Sequence, residues 1–386
     1  MLKVLSLCGI LEISRYPCCN TVQNWVSKMG LFTLENADTQ LVNQEVILLI
    51  DESIRKGQEK QLLILSTPYQ QSCKRPLSFS SVQVVYFGGG KTWNGDLIKG
   101  VIKQLEADIG FKVKVILSDE DSKLKRASRL LTIPHLKDIC HVVGTCLRRT
   151  FEKDVGYQAF IKDVSAYRSK GVNQSLSYLL PPNQRSKARF LNQASLVNWA
   201  AIILFKFDEL SDKEKSFFKD LPAHQPIIRA LKFAIAIAKE VSLPLKEQGL
   251  SVALLKMLRT RIAVLDKLQV LEPDSHLSVF LKHLDGYMVE YQKFMEKQEV
   301  ENIPVSSEII ESLFGKYKAL SSPDKMVATT KLNLEISAIC IDKAKISEQI
   351  ESALEDVFMT DLEAWVDKHS SDNQLVARRE FFKNRK

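Results

Sequence analysis

Two apolar runs, Val46–Ile50 and Val113–Leu117, each lead into a carboxylate: Asp51 closes the first and Ser118-Asp119 the second. Short runs rich in β-branched residues, bounded by polar positions, predict buried strands. Residues 61–66, 82–87 and 139–145 carry the same pattern, giving five strand candidates. The first three are consecutive, separated by a loop containing Gly57 and another containing Pro68 and Pro76, which predicts an antiparallel meander. The period then lengthens. A helix is expected from Gly95 to Ile109, stopped by Gly110; the fourth strand follows, then a helix over about 120–132, then the fifth strand.

Three strands followed by helix, strand, helix, strand is the order of an RNase H-like α/β fold, a mixed five-stranded sheet with flanking helices. From 150 to 300 the pattern changes again. Leu196–Phe207, Gln225–Val241, Leu250–Leu271 and Leu277–Phe294 are long and apolar-periodic, which predicts a large α-helical insertion. Helices continue over 305–368 and the chain ends in a basic tail, Arg378 to Lys386. Near the start, Leu2–Leu11 reads as a helix, Pro17 as a break, and Val22–Met29 as a second helix capped by Asn20-Thr21 and ended by Gly30. That is helix-turn-helix grammar, with Thr21, Gln23, Asn24 and Lys28 toward DNA and Val22, Trp25, Val26 and Met29 inward. A plain helical hairpin fits the same residues, and the lack of a helix before residue 2 suggests a truncated module. The expected division is 1–40 helix-turn-helix, 41–149 first part of the core, 150–300 insertion, 301–322 a core helix, and 323–386 a C-terminal helical region.

Composition narrows the picture without deciding it. The chain has 386 residues, 45% hydrophobic and 26% charged, as in ordinary globular proteins. No apolar run reaches the length of a membrane span, and the N-terminus lacks the layout of a secretory signal. The 7 cysteines fall without CxxC spacing, which argues against a disulfide framework and a zinc site and fits a reducing, cytoplasmic (nucleoid-associated) location. The formal charge of +8 permits a polyanionic partner.

The candidate chemistry lies in three carboxylates. In the fold expected, the first and fourth strands are parallel neighbours, so Asp51 and Asp119 come to one edge of the sheet. Glu311, in Ile309-Ile310-Glu311-Ser312-Leu313-Phe314, arrives on a helix packed across it. Three such acids form a hard-oxygen set suited to two Mg²⁺ (or Mn²⁺) ions over a phosphodiester. Each has a plainer alternative: Asp51 as a turn residue, any acid of Asp119-Glu120-Asp121 as a helix cap, Glu311 as a surface residue. Asp121 thus competes with Asp119 for the second position.

On these residues the chain resembles a DDE/D transposase. Ile310 to Lys318 is similar to the helix that carries the last acid, with a lysine seven positions on, here Lys318. The resemblance implies that Lys318 contacts a phosphate of the transposon end. The tyrosine and arginine that some members place before the glutamate are absent, Pro304 and Ser307 standing there. Asp138-Ile139-Cys140-His141 is similar to the Cys/Asp-x-x-His signature of transposases with helical insertions, such as the hAT superfamily, and implies a supporting role for Asp138 and His141. Such insertions can stack a tryptophan on a base, which makes Trp199 a candidate beside its plainer assignment to the core.

Arg148-Arg149, the Arg185, Lys187 and Arg189 cluster, Arg259, Arg261 and the tail are candidates to track a DNA backbone. Gly88-Gly89-Gly90-Lys91-Thr92 lacks P-loop spacing and reads as a loop after the third strand. The function expected is metal-dependent cleavage of double-stranded DNA at transposon ends and strand transfer to target DNA, by a homodimer or higher oligomer. The alternatives are an RNase H-like nuclease that does not join, and an inactive, transposase-derived DNA-binding protein.

Overall fold

A computed structural model describes residues 17–36, 41–56, 59–69, 76–172, 175–183, 190, 193–268, 275–320, 329–341, 346–370 and 374–383. Its sheet has five strands: β1 (Glu45–Lys56), β2 (Glu59–Pro68), β3 (Gln83–Gly90), β4 (Lys112–Ser118) and β5 (His135–Lys137), in the order β3-β2-β1-β4-β5. β1, β2 and β3 form the antiparallel meander, and β4 joins β1 in parallel. This mixed sheet, with its flanking helices and helical insertion, is the RNase H-like class expected.

Sheet alternation sorts the side chains of β1. Val46, Leu48 and Ile50 sit in one buried cluster with Ile98, Ile102, Leu105 and Ile109 of helix α2 (Gly95–Ile109) and Leu124 and Ala127 of helix α3 (Ser122–Leu131). Asn94 caps α2 by accepting from the amides of Asp96 and Leu97, and Gly110, at φ 80°, ends it in the left-handed conformation that suits glycine. Ile47 and Leu49 are equally buried on the opposite face.

The chain folds into two compact units. One takes in the described residues up to Tyr69, Leu77–His135 and those from Ser307 onward; the other is built from Leu136–Ser306. The insertion therefore begins at Leu136, shortly after α3, not at 150. The reason lies in residues 139–145, expected as the fifth strand. They open helix α4 (Ile139–Phe151), and β5 is the three residues before it. Asp138 caps α4, accepting from the amides of Cys140 at 2.7 Å and His141 at 3.0 Å. Ile139, Val142, Val143, Cys146 and Leu147, the buried residues, recur at helical spacing.

The second unit is helical throughout its described length: α4, α5 (Val155–Gly171), α6 (Gln193–Phe205), α7 (Asp212–Phe217), α8 (Gln225–Gln248), α9 (Val252–Leu268) and α10 (Ser275–Met295), with short 3-10 turns. Phe160, Phe218, Leu231, Phe280 and Leu284 fill its core.

In the first unit, helix α1 (Cys19–Glu35) corrects the helix-turn-helix expectation in two ways. The cap is Cys18, and the helix runs through Gly30 to Glu35. Its buried residues are Ser27, Gly30 and Leu31, while Val22 and Trp25 are 40% and 41% exposed. A Cβ on Gly30 would stand 2.0 Å from the Leu334 carbonyl oxygen, so glycine is what lets the helix seat against the turn at Lys331–Leu334. Thr21, Gln23 and Asn24 are half-buried, and the Lys28 ammonium donates to the Leu354 carbonyl at 3.1 Å. The proposed first helix, Leu2–Leu11, lies outside the described residues.

The remaining helices of this unit are α11 (Glu308–Leu320), α12 (Glu335–Ala338), α13 (Ile346–Asp356), α14 (Met359–His369) and α15 (Gln374–Lys383). α14 covers the edge strand β3 at its glycines, which belong to the strand rather than to a loop after it. A Cβ on Gly88 would meet the His369 ring at 2.5 Å, and one on Gly89 the His369 carbonyl at 2.7 Å. The described helices include none long and apolar enough to cross a membrane.

Candidate active site

The parallel register of β1 and β4 pairs Leu48 with Ile116 and Leu49 with Leu117. Asp51 and Asp119 each lie two residues beyond the last of these pairs, Asp51 still within β1 and Asp119 directly after β4. Neighbouring strands run about 4.8 Å apart, so the two acids project from adjacent chains. Both continue the alternation of Ile47 and Leu49, on the face opposite α2 and α3. Helix α11 packs against β1, and Tyr317 of that helix makes an edge-to-face contact with Phe87 at 6.2 Å between centroids.

Asp119 is held at its base. Its Oδ1 accepts the Asp121 amide at 3.0 Å, and its carbonyl accepts the Ser118 hydroxyl at 3.1 Å. Ser118 is buried and lies 2.7 Å from Nε2 of His135 on β5. Asp121 does different work: it is the N-cap of α3, accepting the Lys123 amide at 2.9 Å. Asp121 is thus committed to the helix start, while Asp119 accepts the Asp121 amide just after β4.

Sequence reasoning passed over Glu52. Alternation turns it to the face opposite Asp51, where its side chain is 9% exposed and pairs with Lys60 at 3.4 Å and with Lys123. The Glu52 carboxylate holds the Lys123 ammonium above the usual lysine pKa. One strand thus spends Glu52 on tying β1 to α3 and presents Asp51 on the other side. The signal was available: adjacent acids on a strand point to opposite faces.

Glu311 lies in the first turn of α11, whose buried face is Ile310, Leu313, Phe314 and Tyr317. At 100° per residue Glu311 and Lys318 are about 20° apart, in one stripe along the flank of that face. Both are exposed. Among the described residues no three His, Cys, Asp or Glu side chains gather into a set that could hold a metal ion. Asp51, Asp119 and Glu311 are oxygen donors of the type a hard divalent cation takes.

No protein-family model matches the chain, and no curated protein does. Among solved structures, "Drosophila P element transposase strand transfer complex" is similar, with 13% identity, a TM-score of 0.41 and 86% of each chain covered.

The other expected site residues belong to the second unit. Asp138 is 1% exposed and caps α4, so its carboxylate serves the helix start, and His141 is half-buried in the first turn. Trp199 donates its indole N–H to the Leu179 carbonyl at 2.8 Å and packs edge-on against Phe218, 6.0 Å between centroids. Its polar atom and one edge of its ring thus have partners within the helical unit, in keeping with its plainer assignment to the core. Arg148 and Arg149 are exposed in the last turn of α4. Arg259 is bound to Asp285 and Gln292, each at 2.9 Å. Arg185, Lys187 and Arg189 lie outside the described residues.

Proposed function

We propose that the chain is a DDE-type transposase, cutting DNA at the ends of its own element and joining the 3′ ends to target DNA. The observation that supports this reading is the parallel pairing of β1 with β4, since Asp51 and Asp119 each lie two residues beyond its last pair, Leu49 with Leu117. Two carboxylates on one sheet edge concentrate negative charge where a hard cation is the natural counter-charge. Divalent ions bound there supply Lewis acidity to the scissile phosphate and lower the pKa of an attacking hydroxyl. The chain's own part is positional. The Asp121 amide and the Ser118 hydroxyl fix Asp119, and Lys318, in the stripe of Glu311, offers a cation to a phosphate of the DNA end.

The test is a cleavage assay on element-end DNA with Mg²⁺ or Mn²⁺. Asp51→Asn and Asp119→Asn are expected to cut about 10²–10³-fold more slowly while binding the same DNA as tightly, the usual cost of removing one transition-state charge contact. A joining assay with a pre-cut end then separates a transposase from a nuclease. A second reading is a DNA-binding protein derived from a transposase that no longer cuts, because among the described residues no three His, Cys, Asp or Glu side chains form a metal-holding set. If the wild-type chain binds but does not cut under either metal, that second reading replaces the first.

A further inference from the structure

Helices α4 and α10 pack together in the second unit, and Arg149 of one and Lys282 of the other both act on His283. Arg148 and Arg149 are exposed at the end of α4, and Lys282 is exposed on α10. Tyr287 of α10 is buried and its ring is a platform: the Arg149 guanidinium lies 5.6 Å and the Lys137 ammonium 4.7 Å from its centroid. Such contacts hold a cation in place and partly desolvated.

Two of the acids nearby are already engaged, while Glu152, exposed at the end of α4, makes no ion pair among the described residues. Glu290 pairs with Lys137, and Asp285 with Arg259 at 2.9 Å. Among the described residues no carboxylate stands within ion-pair distance of Arg148, Arg149 or Lys282. A helix C-terminus attracts cations, which accounts locally for Arg148 and Arg149. It does not account for Lys282, in the middle of α10. His283 reports the excess: burial, then Arg149 and Lys282, hold its imidazole below the usual histidine pKa.

We propose that this face docks the backbone of duplex DNA, with Arg148, Arg149 and Lys282 each against a phosphate. The proposal rests on the DNA-processing function above and adds where the helical unit holds the duplex. A guanidinium fork matches phosphate oxygens, and phosphate contacts position DNA without reading its sequence. The surface is therefore expected to act on any duplex.

The experiment uses the full chain and a short duplex of arbitrary sequence, with affinity measured across a series of salt concentrations. Each phosphate contact contributes about 0.9 to the slope of log K against log salt. The triple variant Arg148→Gln/Arg149→Gln/Lys282→Gln is expected to lower that slope by about 3, if all contacts form. Arg148→Lys/Arg149→Lys keeps the charge and is expected to keep the slope. His283 supplies a second readout by NMR titration: bound duplex raises its pKa, because phosphates favour the imidazolium. The triple variant also raises it without DNA, because two cations facing it are gone. A triple variant with unchanged slope, or a His283 titration indifferent to DNA, overturns the proposal. So does an equal loss in the lysine variant, because charge is then not the cause. A wild-type chain that binds no duplex sinks the DNA-processing reading itself. Tight, salt-sensitive wild-type binding with an unaffected triple variant sinks only this surface.

Discussion

Asp119 and Asp121 stand two residues apart and do separable work. Asp121 satisfies an amide at the start of α3, and removing an N-cap side chain costs about 0.5–2 kcal/mol. Asp121→Ala is thus expected to lower the urea midpoint and leave metal-dependent cleavage measurable. Asp119→Asn keeps the acceptor for the Asp121 amide, so it is expected to leave the midpoint nearly unchanged and abolish cleavage. The reverse pattern would make Asp121 the second acid. Both aspartates were visible in the sequence because an apolar run that stops at a carboxylate marks where a buried strand surfaces. Their separate roles were not visible, since a cap and a strand-end acid have the same composition. For Trp199 the apolar helix suggested its core assignment, but not that the Leu179 carbonyl takes its indole proton.

Periodicity carried most elements and failed where two periods overlap. β1 to β4 and α2, α3, α8 and α10 lie where the pattern put them. Residues 139–147 are β-branched and apolar, which suits a strand, but their buried positions repeat at helical spacing after a capping aspartate. In a nine-residue window the cap was the better discriminator. α1 was misread because its contact face is set by the small Ser27 and Gly30 beside Leu31, not by Val22, Trp25, Val26 and Met29. Gly30→Ala brings a methyl against the Leu334 carbonyl, and overpacking of this kind costs about 1–3 kcal/mol. The expected result is a lower midpoint with the folded spectrum retained; an unchanged midpoint would mean that α1 can move away at no cost.

The cover over β3 carries its own pH dependence. Burial, with Lys368 beside it, pushes the His369 imidazole down to about 4 from an ordinary 6.5. The folded state prefers the neutral ring, so its contribution is complete above 6.5 and fades as pH falls through about 4. The gap in urea midpoint between wild type and His369→Gln is therefore expected to narrow on acidification across that window. A gap that stays constant would show that the ring is hydrated when folded.

At the scale of the whole molecule, the helical unit interrupts the sheet-bearing unit, and the two differ in how far apart their contacts lie in sequence. The second unit is built from one stretch, Leu136–Ser306. The first must bring residues before 135 to residues after 307. Its buried polar cluster shows the distance: Thr329 donates to Glu59 at 2.6 Å across 270 positions and accepts from Gln61 at 2.9 Å across 268. Closing a long loop costs entropy before any contact repays it, and topologies rich in distant contacts fold slowly. Folding of the insertion shortens that loop, because a compact unit brings its own ends nearer than a coil does. The expected order is α4, α8 and α10 first, then α11 onto β1. Pulsed hydrogen exchange during refolding checks it: amides of Ile228, Leu231 and Leu284 should be protected before those of Leu313 and Phe314. Simultaneous protection would mean that the two units fold as one, and the insertion would then be a dependent part of the sheet unit. The same order bears on the proposed active site. Glu311 and Lys318 ride on the last of these helices to dock, so a variant that weakens α11 against β1 should lose cleavage before it loses the DNA affinity carried by α4 and α10.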